Sequence, residues 1–121
     1  MTLSWLGHWL AAFVLTQPCE IGIYANAPGG PERPLRERLA IAFGASAITH
    51  PVVWFVITPL YIPLEVDWWT MVAIAETFAV VTEGLWLLLF GHRALAAFGT
   101  SLAANGLSFI IGLFCYEALG W

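Results

Sequence analysis

The sequence predicts an all-α membrane protein of four spanning helices, and three observations carry that prediction. The chain is 60% hydrophobic and 10% charged over 121 residues, with a mean hydropathy of +0.82, outside the range of a soluble domain. Its apolar residues fall into four stretches of about 20 residues or more, the length that crosses a hydrocarbon core as a helix. All four basic residues are arginines, and they sit in two short polar gaps: Arg33, Arg36 and Arg38 in one, Arg93 in the other. The positive-inside bias puts both gaps on the cytoplasmic side, leaving Glu65, Asp67 and both termini outside.

Span one runs over about residues 3–25 and ends at the Asn26-Ala-Pro-Gly-Gly-Pro-Glu-Arg-Pro cluster, which cannot continue a helix. Span two covers about 39–60, with Pro59 and Pro63 as its stop signals. Span three covers about 68–90 and span four about 94–117. Trp5, Trp9, Tyr61, Trp68, Trp69, Tyr116 and Trp121 fall at the expected outer ends, where amphipathic rings prefer the headgroup level. Tyr24 and His92 mark the inner side. Pro18 and Pro51 lie inside spans, where each removes a helix hydrogen bond. Small residues recur in spans two and four and predict close helix approach.

The chain reads as one integral domain, 1–121, multi-pass in the cell's inner (cytoplasmic) membrane, with the lipid bilayer as its first partner. Met1 to Ser4 carries no basic residue, so the first apolar stretch reads as a retained helix rather than a secretory signal. The formal charge of −4 is spread thinly, which gives no face for nucleic acid. Cys19 and Cys115 are too few and too far apart for a disulfide framework or a Cys-rich metal site. They read as small apolar helix residues.

A tandem repeat is visible in the polar residues. Glu20 in span one and Glu83 in span three are 63 residues apart. Thr49 in span two and Ser108 in span four are 59 apart, and the longer first loop accounts for the difference. Two helical hairpins of the same orientation would be related by a pseudo-twofold along the membrane normal.

Glu20, His50, Glu76 and Glu83 lie inside the spans. An acidic side chain at the bilayer centre costs roughly 2.5–3.5 kcal/mol on insertion scales, so these residues should face inward and meet partners. Ser46, Thr49 and His50 form one stripe on span two, and Asn105 and Ser108 another on span four. Glu76 and Glu83, two turns apart, share a face. Counted from the span ends, His50, Glu83 and Ser108 fall near mid-membrane. Glu20, His50 and Glu83 could together ligate a divalent metal ion through imidazole and carboxylate oxygen. The same groups could relay protons. Either way they could simply hold helices together.

The whole pattern resembles that of small bacterial four-span membrane proteins without an established activity. Those carry a Glu in the first and third spans, an Asn-x-x-Thr-His-Pro-x-x-Trp stretch in the second and Asn-x-x-Ser in the fourth. The matching residues are Glu20; Thr49, His50, Pro51 and Trp54; Glu76 and Glu83; and Asn105 and Ser108. Ser46 stands where the pattern has Asn. The resemblance covers nearly the whole chain and implies a fold more than a function.

Three functional classes follow. The first is a buried cation or proton site serving transport or metal handling, with a homo-oligomer supplying the space that four helices lack. The second is an accessory or scaffold subunit of a larger membrane complex. The third is an intramembrane metal-dependent enzyme, against which stands the lack of a His-Glu-x-x-His, Cys-x-x-Cys or nucleophile-elbow motif.

Overall fold

The computed structural model describes residues 3–120, the side chains at 3 and 119 excepted. Met1, Thr2 and Trp121 lie outside the described residues, so the expected place of Trp121 is not among the findings. Four helices make up the chain: α1 (Leu3–Ala25), α2 (Leu35–Tyr61), α3 (Trp68–Leu89) and α4 (Ala94–Leu119). There is no strand among the described residues. The helices pack in a ring, α1 on α2, α2 on α3, α3 on α4, and α4 back on α1.

Three of them, α2, α3 and α4, are long and apolar enough to cross a membrane. The 23 residues of α1 are long enough, but His8, Gln17, Pro18 and Glu20 dilute its apolar character. The distribution of side chains is inverted relative to a soluble domain. Gln17, Glu20, Ser46, Thr49, Glu83, Ser101 and Asn105 are buried, while Leu10, Val14, Phe43, Leu60, Leu85, Leu102 and Phe114 stand exposed. An apolar exterior around a polar interior is the arrangement that a lipid solvent selects.

The second helix starts earlier than expected and ends at Tyr61, beside its expected end. It begins at Leu35, four residues before the expected span, after Pro34 in an extended N-cap conformation. Arg36, Glu37 and Arg38 therefore ride on its first turn. At the other end Pro59 does not stop the helix. A π-helical turn, Val53–Ile57, precedes it, and the helix resumes over Thr58–Tyr61. A proline ring clashes with the carbonyl four residues back, and a wider turn there relieves the clash. The Thr58 hydroxyl donates to the Val53 carbonyl at 2.9 Å, adding to the bond that carbonyl already accepts from the Thr58 N–H across the widened turn.

Both arginine-bearing loops lie at one end of the ring and dock on each other. The Arg93 backbone N–H donates to the Gly29 carbonyl at 2.9 Å, and His92 Nδ1 lies 3.0 Å from the Pro28 carbonyl. The arginines close the adjoining helix C-termini: Arg38 donates to the Ala25 carbonyl at 2.8 Å, and Arg33 to the Phe90 carbonyl at 3.1 Å. A cation at a helix C-terminus is favoured by the helix dipole. Gly91 ends α3 with φ of 89°. Its N–H reaches the Leu88 carbonyl and that of His92 the Leu87 carbonyl, the paired bonds of a Schellman cap.

At the opposite end, aromatic rings gather between the hairpin arms. Trp5 packs on Trp54 at 5.3 Å between centroids, Trp9 on Phe55 at 5.1 Å, and Trp68 on Trp69 at 4.7 Å. Between the ends, small residues let the helices approach. Ala42, Ala97 and Ala104 are fully buried. Gly44 faces the Trp86 ring, whose indole N–H donates to the Ile41 carbonyl at 2.9 Å. Gly84 lies against Phe98 so closely that a Cβ there would enter the ring.

Two predictions follow from these contacts. Gly84→Ala should destabilise the fold by about 1–3 kcal/mol through overpacking against Phe98. Gly106→Ala, where a Cβ meets nothing within 4 Å, should be neutral or stabilising. Unfolding of both variants in detergent by added denaturant tests the contrast. The second concerns Asp67, the N-cap of α3, which accepts from the Thr70 hydroxyl at 2.5 Å and the Thr70 N–H at 3.0 Å. These bonds, the hydroxyl first, hold its carboxyl below the usual carboxylate range. A lowered folded value stabilises α3 fully above the unfolded value and loses that contribution as pH falls through the folded one. Melting curves at neutral and strongly acidic pH should show this loss in the wild type and less of it in Asp67→Asn.

Candidate functional site

Glu83 is the hub of the interior. It sits on α3 at 2% relative exposure, and its carboxylate accepts hydrogen bonds from each of the other three helices. The Tyr24 hydroxyl of α1 donates to Oε2 and the Thr49 hydroxyl of α2 to Oε1. The Asn105 amide of α4 donates to Oε2 at 2.6 Å. Asn105 also donates to the Ser101 carbonyl one turn back, at 3.0 Å. Ser101 in turn ties α4 to α3, its hydroxyl donating to the Val80 carbonyl at 2.9 Å.

Glu20 forms a second, sparser centre on α1. The Ser108 hydroxyl of α4 donates to its Oε1. The Gln17 amide, one turn earlier on the same helix, donates to Oε2 at a long 3.3 Å. Ser46 of α2 approaches the carboxylate at the margin of hydrogen-bond range, and its Oγ makes no well-formed hydrogen bond. Gln17 Oε1 is likewise buried without a partner. Glu76, half-buried on α3, lies within electrostatic reach of both Glu83 and Glu20.

His50 departs from the expectation that it would meet a carboxylate at a metal. Its ring packs edge-on to Phe13 at 5.1 Å and stacks on Trp54 at 6.4 Å, and its Nδ1 has no hydrogen-bond partner. Among the described residues no three His, Cys, Asp or Glu side chains converge as a metal ion would require. Glu20, His50 and Glu83 therefore do not form one ligand set in this arrangement; hydroxyls and amides surround the carboxylates instead. The physical reason is local: His50 is four residues from Ser46 but directly follows Thr49, so it points about 100° around the helix from the Thr49 side chain that faces Glu83. The wide Phe13 and Trp54 rings draw the imidazole towards the α1–α2 seam.

Ser46, Thr49, Asn105 and Ser108 all take part in or border the polar interior, as their stripes suggest. Tyr24 does not mark the inner interface as expected. It is buried at 3% exposure, and its hydroxyl reaches across the ring to Glu83. The signal for it was present: Gln17, Glu20 and Tyr24 are spaced three and four apart and share one helix face. Ser101 was equally readable, one turn before Asn105.

The donors to Glu83 can be tested one at a time. Tyr24→Phe and Thr49→Val each remove one hydroxyl with little change of shape. Each should destabilise the fold within about 0.6–1.7 kcal/mol, the span from average to largest for hydrogen bonds between helices in lipid. Because they share one acceptor, the double variant should depart from additivity in a double-mutant cycle of unfolding free energies.

Against known protein families, characterised proteins and solved structures, the chain finds no match.

Proposed function

We propose that the chain is a small four-span membrane protein whose buried polar cluster binds a cation or a proton, serving transport or the handling of a metal ion. One observation carries this reading. Glu20 and Glu83 are buried at 3% and 2% exposure and Glu76 is half-buried, while all four arginines sit at or beside the loops. The interior partners of Glu20 and Glu83 are neutral hydroxyls and amides. A group of buried carboxylates without a basic partner either takes up protons or attracts a cation.

In this reading α1 crosses the bilayer with the other three helices, its polar residues turned inward. Both arginine-bearing loops face the cytoplasm, and the termini and the 62–67 loop lie on the other side of the inner membrane. The two hairpins are tandem copies about an axis near the membrane normal. The crossed pairing supports this: Glu20 of α1 bonds Ser108 of α4, as Glu83 of α3 bonds Thr49 of α2. So do two surface grooves at the loop end. Glu37, Ala40, Ile41 and Trp86 line one; Ala96, Gly99, Thr100 and Ile23 line the other. These are the same positions under the offsets of 59 and 63.

A second reading has one observation in its favour. Every oxygen of Glu83 already has protein donors, which is what a helix-locking residue in an accessory subunit would show. Two measurements separate the readings. Single cysteines at Gly30, Val66 and His92, in a Cys-free background, should label with 30 and 92 on one side and 66 on the other. In lipid nanodiscs, the protein should take up protons or bind a cation reversibly, and a folded Glu20→Gln/Glu83→Gln variant should do neither. Undiminished binding in that variant would move the assignment to the subunit reading.

A further inference from the structure

The two carboxylate centres occupy equivalent places, but they are not equivalently filled. Glu83 receives Thr49 and Asn105 from its neighbouring helices, with Tyr24 as a third donor. The corresponding neighbours of Glu20 are Ser108 and Ser46, at the same offset of 59 residues. Ser108 makes its bond. Ser46 Oγ lies at the margin of hydrogen-bond range of the Glu20 carboxylate and closes no well-formed bond, and its hydroxyl is shorter than an asparagine amide at that place. What remains beside Glu20 is a set of oxygens with unused lone pairs.

We propose that this set is a binding site for one monovalent hard cation of the sodium class, held by the Glu20 carboxylate, Gln17 Oε1, Ser46 Oγ and Ser108 Oγ. The inference deepens the cation reading above and rests on it. Gln17 and Ser46 are 7% and 1% exposed, and both carry a buried oxygen without a partner. A buried polar atom left unpaired carries its full desolvation penalty, which a coordinated ion would relieve for both oxygens together. Gln17 is fixed at the site by its own amide nitrogen on Glu20, and Ser46 acts on the same carboxylate from α2.

The ligand chemistry selects the class of ion. All four donors are oxygens, which suit hard cations rather than zinc or copper. His50, the nearest soft candidate on α2, is engaged with aromatic rings. One carboxylate with three neutral oxygens carries a single negative charge, so a monovalent ion leaves the buried site neutral. A divalent ion would leave a net positive charge in a low-dielectric interior, unless a second carboxylate joined. Glu83, the equivalent carboxylate, already has its donors, and Glu76, half-buried on α3, acts on Glu83 more than on Glu20. On the same α1–α4 seam lies a groove of about 370 Å³ bordered by Ile23, Gly99, Thr100 and Ala103, Ile23 being one turn along α1 from Glu20.

The test uses the whole protein in nanodiscs at constant ionic strength, with sodium chloride replacing choline chloride at alkaline pH. Melting temperature and the sodium-NMR line width are the two readouts. The wild type should show a saturable rise in melting temperature and a broadened sodium line. Ser46→Ala and Gln17→Leu should lose both, while the exposed Thr77→Val keeps them. Ser46→Asn should also lose the sodium response, since its amide would fill the place beside Glu20 as Asn105 does beside Glu83. It should melt above Ser46→Ala in choline. No sodium response with proton uptake intact would overturn the sodium site and leave the proposed function standing. Absence of both would remove both. A sodium response that survives in Ser46→Ala and Gln17→Leu would place the ion elsewhere, and a larger response to magnesium would overturn the monovalent class. Should the substitutions prevent folding, the wild-type line width decides alone: an unbroadened line overturns the site.

Discussion

The Glu83 carboxylate is the point on which the interior closes. In lipid no hydrophobic force drives helices together, so association depends on packing and on polar contacts between helices. Three of the four helices each send one donor to the same two oxygens of the fourth. Those bonds fix the rotation of α1, α2 and α4 about their axes, because Tyr24, Thr49 and Asn105 must all point inward at one depth. With rotation fixed, the small faces of α2 and α4 are turned to their neighbours, where Ala42, Ala45, Ala97 and Ala104 are buried. Trp86 can then cover Gly44 and bond the Ile41 carbonyl. The packing and the polar hub thus specify the same arrangement.

The loop end adds a second constraint of a different kind. Arg33 and Arg38 neutralise the C-terminal ends of α3 and α1 through their carbonyls. The docking of Arg93 on Gly29 ties one hairpin's turn to the other's. Arg33 also lies 5.6 Å from the Phe90 ring centroid, and its ion pair with Glu37 spans 3.5 Å. Partly exposed, that pair contributes little by itself. The same arginines that bias the loops to the cytoplasmic face in the proposed topology therefore serve as helix stops. The helix ends and the membrane orientation draw on one set of charges.

How much of this was legible in the sequence depends on the range of the interaction concerned. The three apolar helices were readable because hydropathy is a sum over many residues and tolerates local errors. The inward stripes were readable because an ionisable group in lipid has few places to go. Pro59 was misleading: proline forbids one hydrogen-bond geometry rather than a helix, and the π turn of Val53–Ile57 supplies the alternative. The start of α2 was set by Pro34 and not by the edge of the apolar run. Tyr24 and His50 were exchanged in role because nothing in a linear spacing says which of two side chains is long enough to cross the ring. A tyrosine hydroxyl one turn from Glu20 reaches Glu83 on the far helix, whereas the imidazole settles against two rings on its own seam.

The difference between the two carboxylates comes down to side-chain length at one position. If the hairpins are tandem copies, as proposed, equivalent residues start from equivalent backbone sites, so a single shorter side chain removes one ligand without moving the others. Asn105 fills its place beside Glu83; Ser46, at the matching place beside Glu20, leaves it open. Filling both centres would give a locked interior with every donor paired, suited to holding helices and to nothing else. Opening both would remove two of the contacts that set the helix rotations, and the small faces would lose their register. In the proposed reading, one filled and one open centre separates the tasks: Glu83 holds the helices in place while Glu20 exchanges its ligand. Structural stability and reversible binding then need not compete for the same carboxylate, which is the condition under which four short helices can support both.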